Sequence, residues 1–93
     1  MVEYNKEVIK RYFKRLDSEN RGEATVFYIK NFNGKYYEAD SYHLRMGVAI
    51  KENDIELQKD FYRNSNFEEI EESEYETVVY LYKHGGKYEF KNK

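Results

Sequence analysis

The chain contains no cysteine, which removes disulfides, thiolate nucleophiles, zinc fingers and iron–sulfur ligation together. With His43 and His84 as the only other soft ligands, a zinc site would need carboxylates to complete it, and neither a metal nor a cofactor is expected. Proline is missing as well, and with abundant Lys, Glu, Asn and Tyr this reads as the codon bias of an AT-rich genome. No apolar run approaches the roughly 18 residues that span a bilayer, and no apolar h-region precedes a small-residue cleavage site. The expectation is a soluble, cytoplasmic protein with no membrane partner.

Aliphatic side chains are scarce. Valine, isoleucine, leucine and phenylalanine total 21 of 93 residues, just above the roughly one-fifth level below which chains tend to stay disordered. Eleven tyrosines and six phenylalanines must therefore supply much of the core, with tyrosine hydroxyls reaching toward water or a polar partner. The length suits a single domain, residues 1–93. Sixteen basic against eighteen acidic residues leave a net charge of −2, whereas a dedicated nucleic-acid binder is usually clearly basic.

The expected fold class is α+β: an N-terminal amphipathic helix packed on an antiparallel sheet built from β-hairpins. Tyr4, Val8, Ile9, Tyr12, Phe13 and Leu16 follow one helical stripe, so the spacing predicts a helix whose core side is Val8, Ile9, Phe13 and Leu16. Lys6, Lys10, Arg11, Lys14 and Arg15 then form its basic side, and the polar stretch to Gly22 ends it. Asn33-Gly34, between a β-branched and aromatic run from Ala24 to Phe32 and Lys35-Tyr36-Tyr37, predicts a first hairpin. The alternation of Leu44, Met46, Val48 and Ile50 resumes at Ile55, Leu57 and Phe61. A Glu52-Asn53 turn would pair Ile50 with Ile55, Val48 with Leu57 and Leu44 with Phe61, all on one face. A short helix over 54–64 is the competing reading. Thr77 to Tyr82, Gly85-Gly86 and Tyr88 to Phe90 read as a third hairpin, with His84 in the turn. Tyr75, Val78, Val79 and Tyr82 also fit a C-terminal helix at 71–84 ending at Gly85.

Among the constellations with chemistry, the densest is Glu68, Glu69, Glu71, Glu72, Glu74 and Glu76, six like charges in nine positions with Tyr75 between them. Repulsion makes such a run costly unless water, a cation or a partner relieves it. It reads as a solvated loop or as a surface imitating the spaced charge of a phosphate backbone; calcium is disfavoured because the D-x-[DN]-x-[DN]-G pattern is absent. The basic residues Lys6, Lys10, Arg11, Lys14 and Arg15 form either a solvated helix face or, beside sheet tyrosines, a single-stranded nucleic-acid surface. The acidic and basic clusters would also attract each other, within the fold or between copies, leaving a homodimer open. Ser41 and His43 share a strand face, but no nucleophile elbow accompanies them, and solvated glutamates offer no apolar pocket for acid–base work. No enzymatic activity is expected.

On its short, cysteine-free, single-domain character, its glutamate run from Glu68 to Glu76 and its tyrosine-rich hairpins, the chain resembles the small anti-defence inhibitors of phages of low-GC bacteria, including anti-CRISPR proteins. The resemblance covers about a third of the chain, shares no diagnostic motif and carries no fold. It implies a non-enzymatic inhibitor or adaptor acting in the host cytoplasm on a nucleic-acid-handling enzyme with a basic groove. The candidate contact residues are Glu68, Glu69, Glu71, Glu72, Glu74, Tyr75 and Glu76. The alternative is a small nucleic-acid-binding module using Lys6, Lys10, Arg11, Lys14 and Arg15.

Overall fold

A glycine that takes positive φ at no steric cost lets the chain reverse after Asn33, and the sheet is built outward from that reversal. The computed structural model describes residues 11–18 and 22–89. Its elements are β1 (Tyr12–Ser18), β2 (Glu23–Phe32), β3 (Tyr36–Arg45), β4 (Val48–Lys51), β5 (Ile55–Gln58), a 3-10 turn (Phe61–Arg63), β6 (Phe67–Glu69) and α1 (Glu72–His84). One six-stranded sheet runs β4-β3-β2-β1-β6, with β5 also on β3 and every pairing antiparallel. The fold is α+β.

The first hairpin forms as the sequence predicts, with Phe32 opposite Tyr37. Gly34 has φ +99°, and the Asn33 side chain accepts the backbone N–H groups of Lys35 and Tyr36 at 3.0 and 2.8 Å. The expected N-terminal helix is corrected. Residues 12–18 are an interior strand, β1 pairing with β2 and β6; Tyr4, Val8, Ile9, Lys6 and Lys10 lie outside the described residues. Alternation sends Tyr12 to one side of the sheet and Phe13 to the other, and both sides are covered there. A strand covered on both sides carries apolar residues at adjacent positions, and this imitated one face of a helix.

The second hairpin is also corrected. Met46-Gly47 makes the turn, with φ of 53° and 86°, so β4 folds back on β3 and Arg45 stands opposite Val48. Leu44 is buried on one side of the sheet, while Val48 and Ile50 emerge on the other. β5 pairs with the other half of β3, Ala39 opposite Ile55 and Tyr37 opposite Leu57, so β4 and β5 lie end to end along one neighbour. The helix considered over 54–64 is reduced to the single turn Phe61–Arg63.

The third hairpin is replaced by its helical alternative. α1 spans Glu72–His84, and the Gly85 N–H donates to the Leu81 carbonyl at 2.7 Å. Packing of Tyr75, Val78 and Val79 on the sheet overrides the β propensity of Thr77-Val78-Val79. Glu72 and Glu74 stand in the first turn and Lys83 and His84 in the last, each favourable to the helix dipole. His84 is thus the last helical residue, its ring 4.3 Å from that of Tyr80, and Phe90 lies outside the described residues.

The core has two halves, one on each side of the sheet. On the helix side, α1 covers Val26, Tyr42 and Leu44, with Tyr12, Tyr28 and Ala49 at the margin. On the other side, the 3-10 turn closes over Phe13, Phe27, Ile29, Tyr37, Ala39 and Leu57 through Phe61. The scarcity of aliphatic residues is met by rings: Phe13 stacks on Phe27 at 5.8 Å, and Phe61 meets both edge-on at 5.0 and 5.9 Å.

Candidate interaction surface

The acidic run is divided between a strand and a helix. Glu68 and Glu69 sit on β6, opposite Lys14 and Phe13 of β1, and strand alternation sends Glu68 to the helix side and Glu69 to the other. Glu71, Glu72 and Glu76 are exposed at the start of α1 and along its outer surface. Glu68, Glu69, Glu71 and Glu76 pair with no cation among the described residues.

Glu74 and Tyr75 turn inward instead. Glu74 accepts from Lys14 Nζ at 3.2 Å and from the Tyr88 hydroxyl, tying the helix to β1 and to the segment after it. Burial first, then the Glu74 hydrogen bond and charge, pushes the Tyr88 hydroxyl well above the ordinary tyrosine range. Tyr75 is 6% exposed and belongs to the core. Its ring lies 5.4 Å from Tyr12 and 6.0 Å from Tyr28 and Tyr42, and its hydroxyl donates to Asp40 Oδ2 at 3.2 Å. Burial and the neighbouring Asp40 carboxylate push this hydroxyl upward too. Tyr12 and Tyr42 are raised likewise, by burial before the charges of Glu72 and Asp40 respectively.

Asp40 is the hinge of this network, held by Lys51 Nζ at 2.7 Å as well as by Tyr75. Burial alone would raise its pKa, but the Lys51 hydrogen bond and charge, with Tyr75 and Lys30, outweigh it and hold the carboxyl below its usual value. A lowered folded pKa means stability present above the unfolded value of about 3.9 and lost as pH falls through the folded one. Asp40→Asn is therefore expected to weaken the fold by about 1–2 kcal/mol at pH 7. Urea titrations of parent and variant at pH 7 and pH 3 check it: the difference should narrow at pH 3, and an equal difference at both pH values would refute the assignment.

The basic residues do not share a face. Lys14 points to the helix side and to Glu74; Arg15 points to the other, donating to Asp17 Oδ1 at 2.8 Å and to Thr25 Oγ1 at 3.2 Å. Arg11 donates to the Ile29 carbonyl at 3.1 Å and lies over the Tyr28 ring. Lys6 and Lys10 lie outside the described residues. Ser41 and His43 do share a sheet face, but Ser41 donates to Glu52 Oε1 at 3.1 Å, while His43 Nδ1 lies 3.4 Å from Asp17 Oδ2 and from Thr25 Oγ1. These groups form a polar cluster on the side of the sheet away from α1, with Ser41 and Thr25 fully buried and His43 partly buried. No group of three or more His, Asp or Glu placed to hold a metal occurs among the described residues, and no helix among them is long and apolar enough to cross a membrane.

No protein-family model, curated protein or solved structure matches the chain. Sequence reasoning reached Tyr80 and Tyr82 only as candidates behind the glutamates, and they stand 60% and 45% exposed at the outer end of α1; it missed a second surface, the outer edge of β4, where Val48 and Ile50 emerge. The first was signalled by the helical stripe that leaves Tyr80 off the buried side. The second had no signal, because Met46-Gly47 is not a recognised turn pair.

Proposed function

We propose that the chain is a non-enzymatic protein-binding inhibitor or adaptor. It acts through the acidic outer surface of α1 and β6 on a partner with a basic groove, such as a nucleic-acid-handling enzyme of the CRISPR-effector kind. The observation that carries this reading is a row of carboxylates without cationic partners on a rigid support. Glu72 and Glu76 lie one helical turn apart, about 6 Å along the axis, with Glu68 and Glu71 beside them and exposed Tyr80 continuing the line. Such a surface steers a basic partner and fixes its register more than it adds raw affinity, while exposed tyrosine supplies contact area at low ordering entropy. Direct nucleic-acid binding has less support, because Lys14 and Arg15 leave β1 on opposite sides and each is already paired.

The test neutralises the outward charges and spares the inward one: Glu68→Gln, Glu72→Gln and Glu76→Gln together, with Glu74 kept for Lys14 and Tyr88. Affinity capture from a bacterial lysate with parent and triple variant is followed by association rates for the captured protein at two salt concentrations. The variant is expected to melt at or above the parent temperature, since repulsion is relieved, while its association rate falls roughly tenfold at low salt. Identical capture and rates would reject the acidic surface as the site.

A further inference from the structure

At the edge of the sheet opposite β6, β4 and β5 leave the stretch from Ala49 to Gln58 open among the described residues, while at its start the Tyr88 N–H donates to the outward Gly47 carbonyl at 2.8 Å. The two-residue turn makes Arg45–Val48 the hydrogen-bonded closing pair, and such pairs recur at every second position in an antiparallel ladder. Val48 and Ile50 thus direct their N–H and C=O groups at β3. In keeping with this phase, the Glu52 N–H donates to the Ser41 carbonyl at 3.1 Å. The N–H and C=O groups of Ala49 and Lys51 point out of the sheet.

Side chains add to the opportunity. Val48 and Ile50 are 45% and 48% exposed on one face of this edge, and Met46 beside them is 70% exposed. Natural edges are commonly guarded by proline or by an outward lysine. Here the one lysine, Lys51, folds back to Asp40 at 2.7 Å and to the Glu52 carbonyl at 2.9 Å. Further along, Glu38 and Glu56 stand directly opposite each other on β3 and β5, a like-charge pair that a sheet ordinarily avoids. With Asp54 and Ile55 they line an open hollow of about 520 Å³. Asp54 is taken by Lys30 at 2.6 Å, whose charge Glu38 also feels, while Glu38 accepts hydrogen bonds only from the Asn31 and Asn33 amides; neither Glu38 nor Glu56 has a direct ion pair among the described residues.

We infer that this edge receives an extended segment of a partner protein as an added strand. Two alternating apolar side chains of that segment seat on Val48 and Ile50, and a lysine or arginine enters the hollow beside Glu38 and Glu56. Ile50 stands opposite His43 and Glu56 opposite Glu38, five positions along β3 or roughly 17 Å, so a segment of about ten residues covers both features. Charge decides between a partner and a second copy. Two β4 strands paired about Ile50 would set Glu52 against Val48 and bring no cation to either hollow, whereas a basic-ended segment complements both halves of the edge. This surface is separate from the α1 surface and does not depend on it.

The probe is a fluorescent, N-acetylated ten-residue peptide of alternating valine and threonine with two lysines at one end, titrated against the full chain by anisotropy. Ala49→Pro deletes an outward N–H without touching the β3 ladder, and Ile50→Lys removes the apolar seat without altering the backbone. Each is expected to weaken binding at least about tenfold, as are N-methylation of the peptide at alternate amides and exchange of its lysines for glutamates. Glu68→Gln/Glu72→Gln/Glu76→Gln should leave peptide binding unchanged, which separates this proposal from the acidic-surface reading. Equal affinity of the N-methylated peptide, or no saturation by about 1 mM, would overturn it. A dimer in sedimentation that Ala49→Pro converts to monomer, with no peptide binding, would overturn it too by assigning the edge to a second copy.

Discussion

Phe27→Ala is expected to cost about 3–5 kcal/mol, a large share of the roughly 5–15 kcal/mol that holds a domain of this size together. Phe27 is fully buried on an inner strand and contacts three other rings, with centroids at 5.8 Å to Phe13, 5.9 Å to Phe61 and 6.1 Å to Phe67. Truncation removes the ring on which the 3-10 turn closes, and the neighbours cannot fill the void because β1 and β3 hold their positions through backbone bonds. Phe32, 44% exposed at the end of the same strand, is the control, and its truncation should cost under about 1 kcal/mol. Urea unfolding of both variants checks the pair; a Phe27→Ala midpoint close to that of the parent would mean that this half of the core is packed otherwise.

The second large effect is alkaline. Tyr75 and Tyr88 have hydroxyls pushed up by burial and by donating to Asp40 and Glu74. A folded pKa above the unfolded value of about 10 gives stability that is complete below pH 10 and lost as pH rises toward the folded pKa. Each pH unit above 10 costs at most about 1.4 kcal/mol per tyrosine kept protonated, and less where water screens the hydroxyl, so the two together remove on the order of 2 kcal/mol by pH 11. Denaturant unfolding between pH 8 and 11.5, followed beside tyrosinate absorbance, should show stability falling as exposed tyrosines ionise. Tyr75→Phe should flatten that fall, and a slope unaltered by Tyr75→Phe together with Tyr88→Phe would remove these hydroxyls from the account.

What the sequence disclosed depended on how local the cause was. The hairpin at Asn33-Gly34 was legible because two adjacent residues determine its turn. The helix Glu72–His84 was visible only as an alternative, since Thr77-Val78-Val79 favours a strand locally and only packing against Tyr42 and Leu44 decides otherwise. The misreading of Tyr12, Phe13 and Leu16 had a different source: periodicity cannot separate one helical face from a strand buried on both sides. Met46 at φ 53° was illegible because few non-glycine residues adopt that conformation, and the acidic stretch Glu52 to Asp54 looked like the better turn. The glutamate run was obvious as composition. Its division into outward Glu68, Glu71, Glu72 and Glu76 and inward Glu74 was not, because the register of β6 on β1 joins residues more than 50 positions apart.

That long-range pairing orders the assembly of the molecule. β2, β3 and β4 are joined by short turns and meet through local contacts, so they can form a three-stranded nucleus early at little loop-closure cost. β6 reaches β1 only by closing the whole intervening loop, and it holds on through three paired positions, Phe13 to Arg15 against Glu69 to Phe67. The acidic unit of β6 and α1 thus depends on the longest loop closure in the sheet, and once in place it is sealed over the meander by the buried Tyr75 and Val78. The exposed carboxylates of α1 are therefore held in position by contacts more than 50 residues away in sequence.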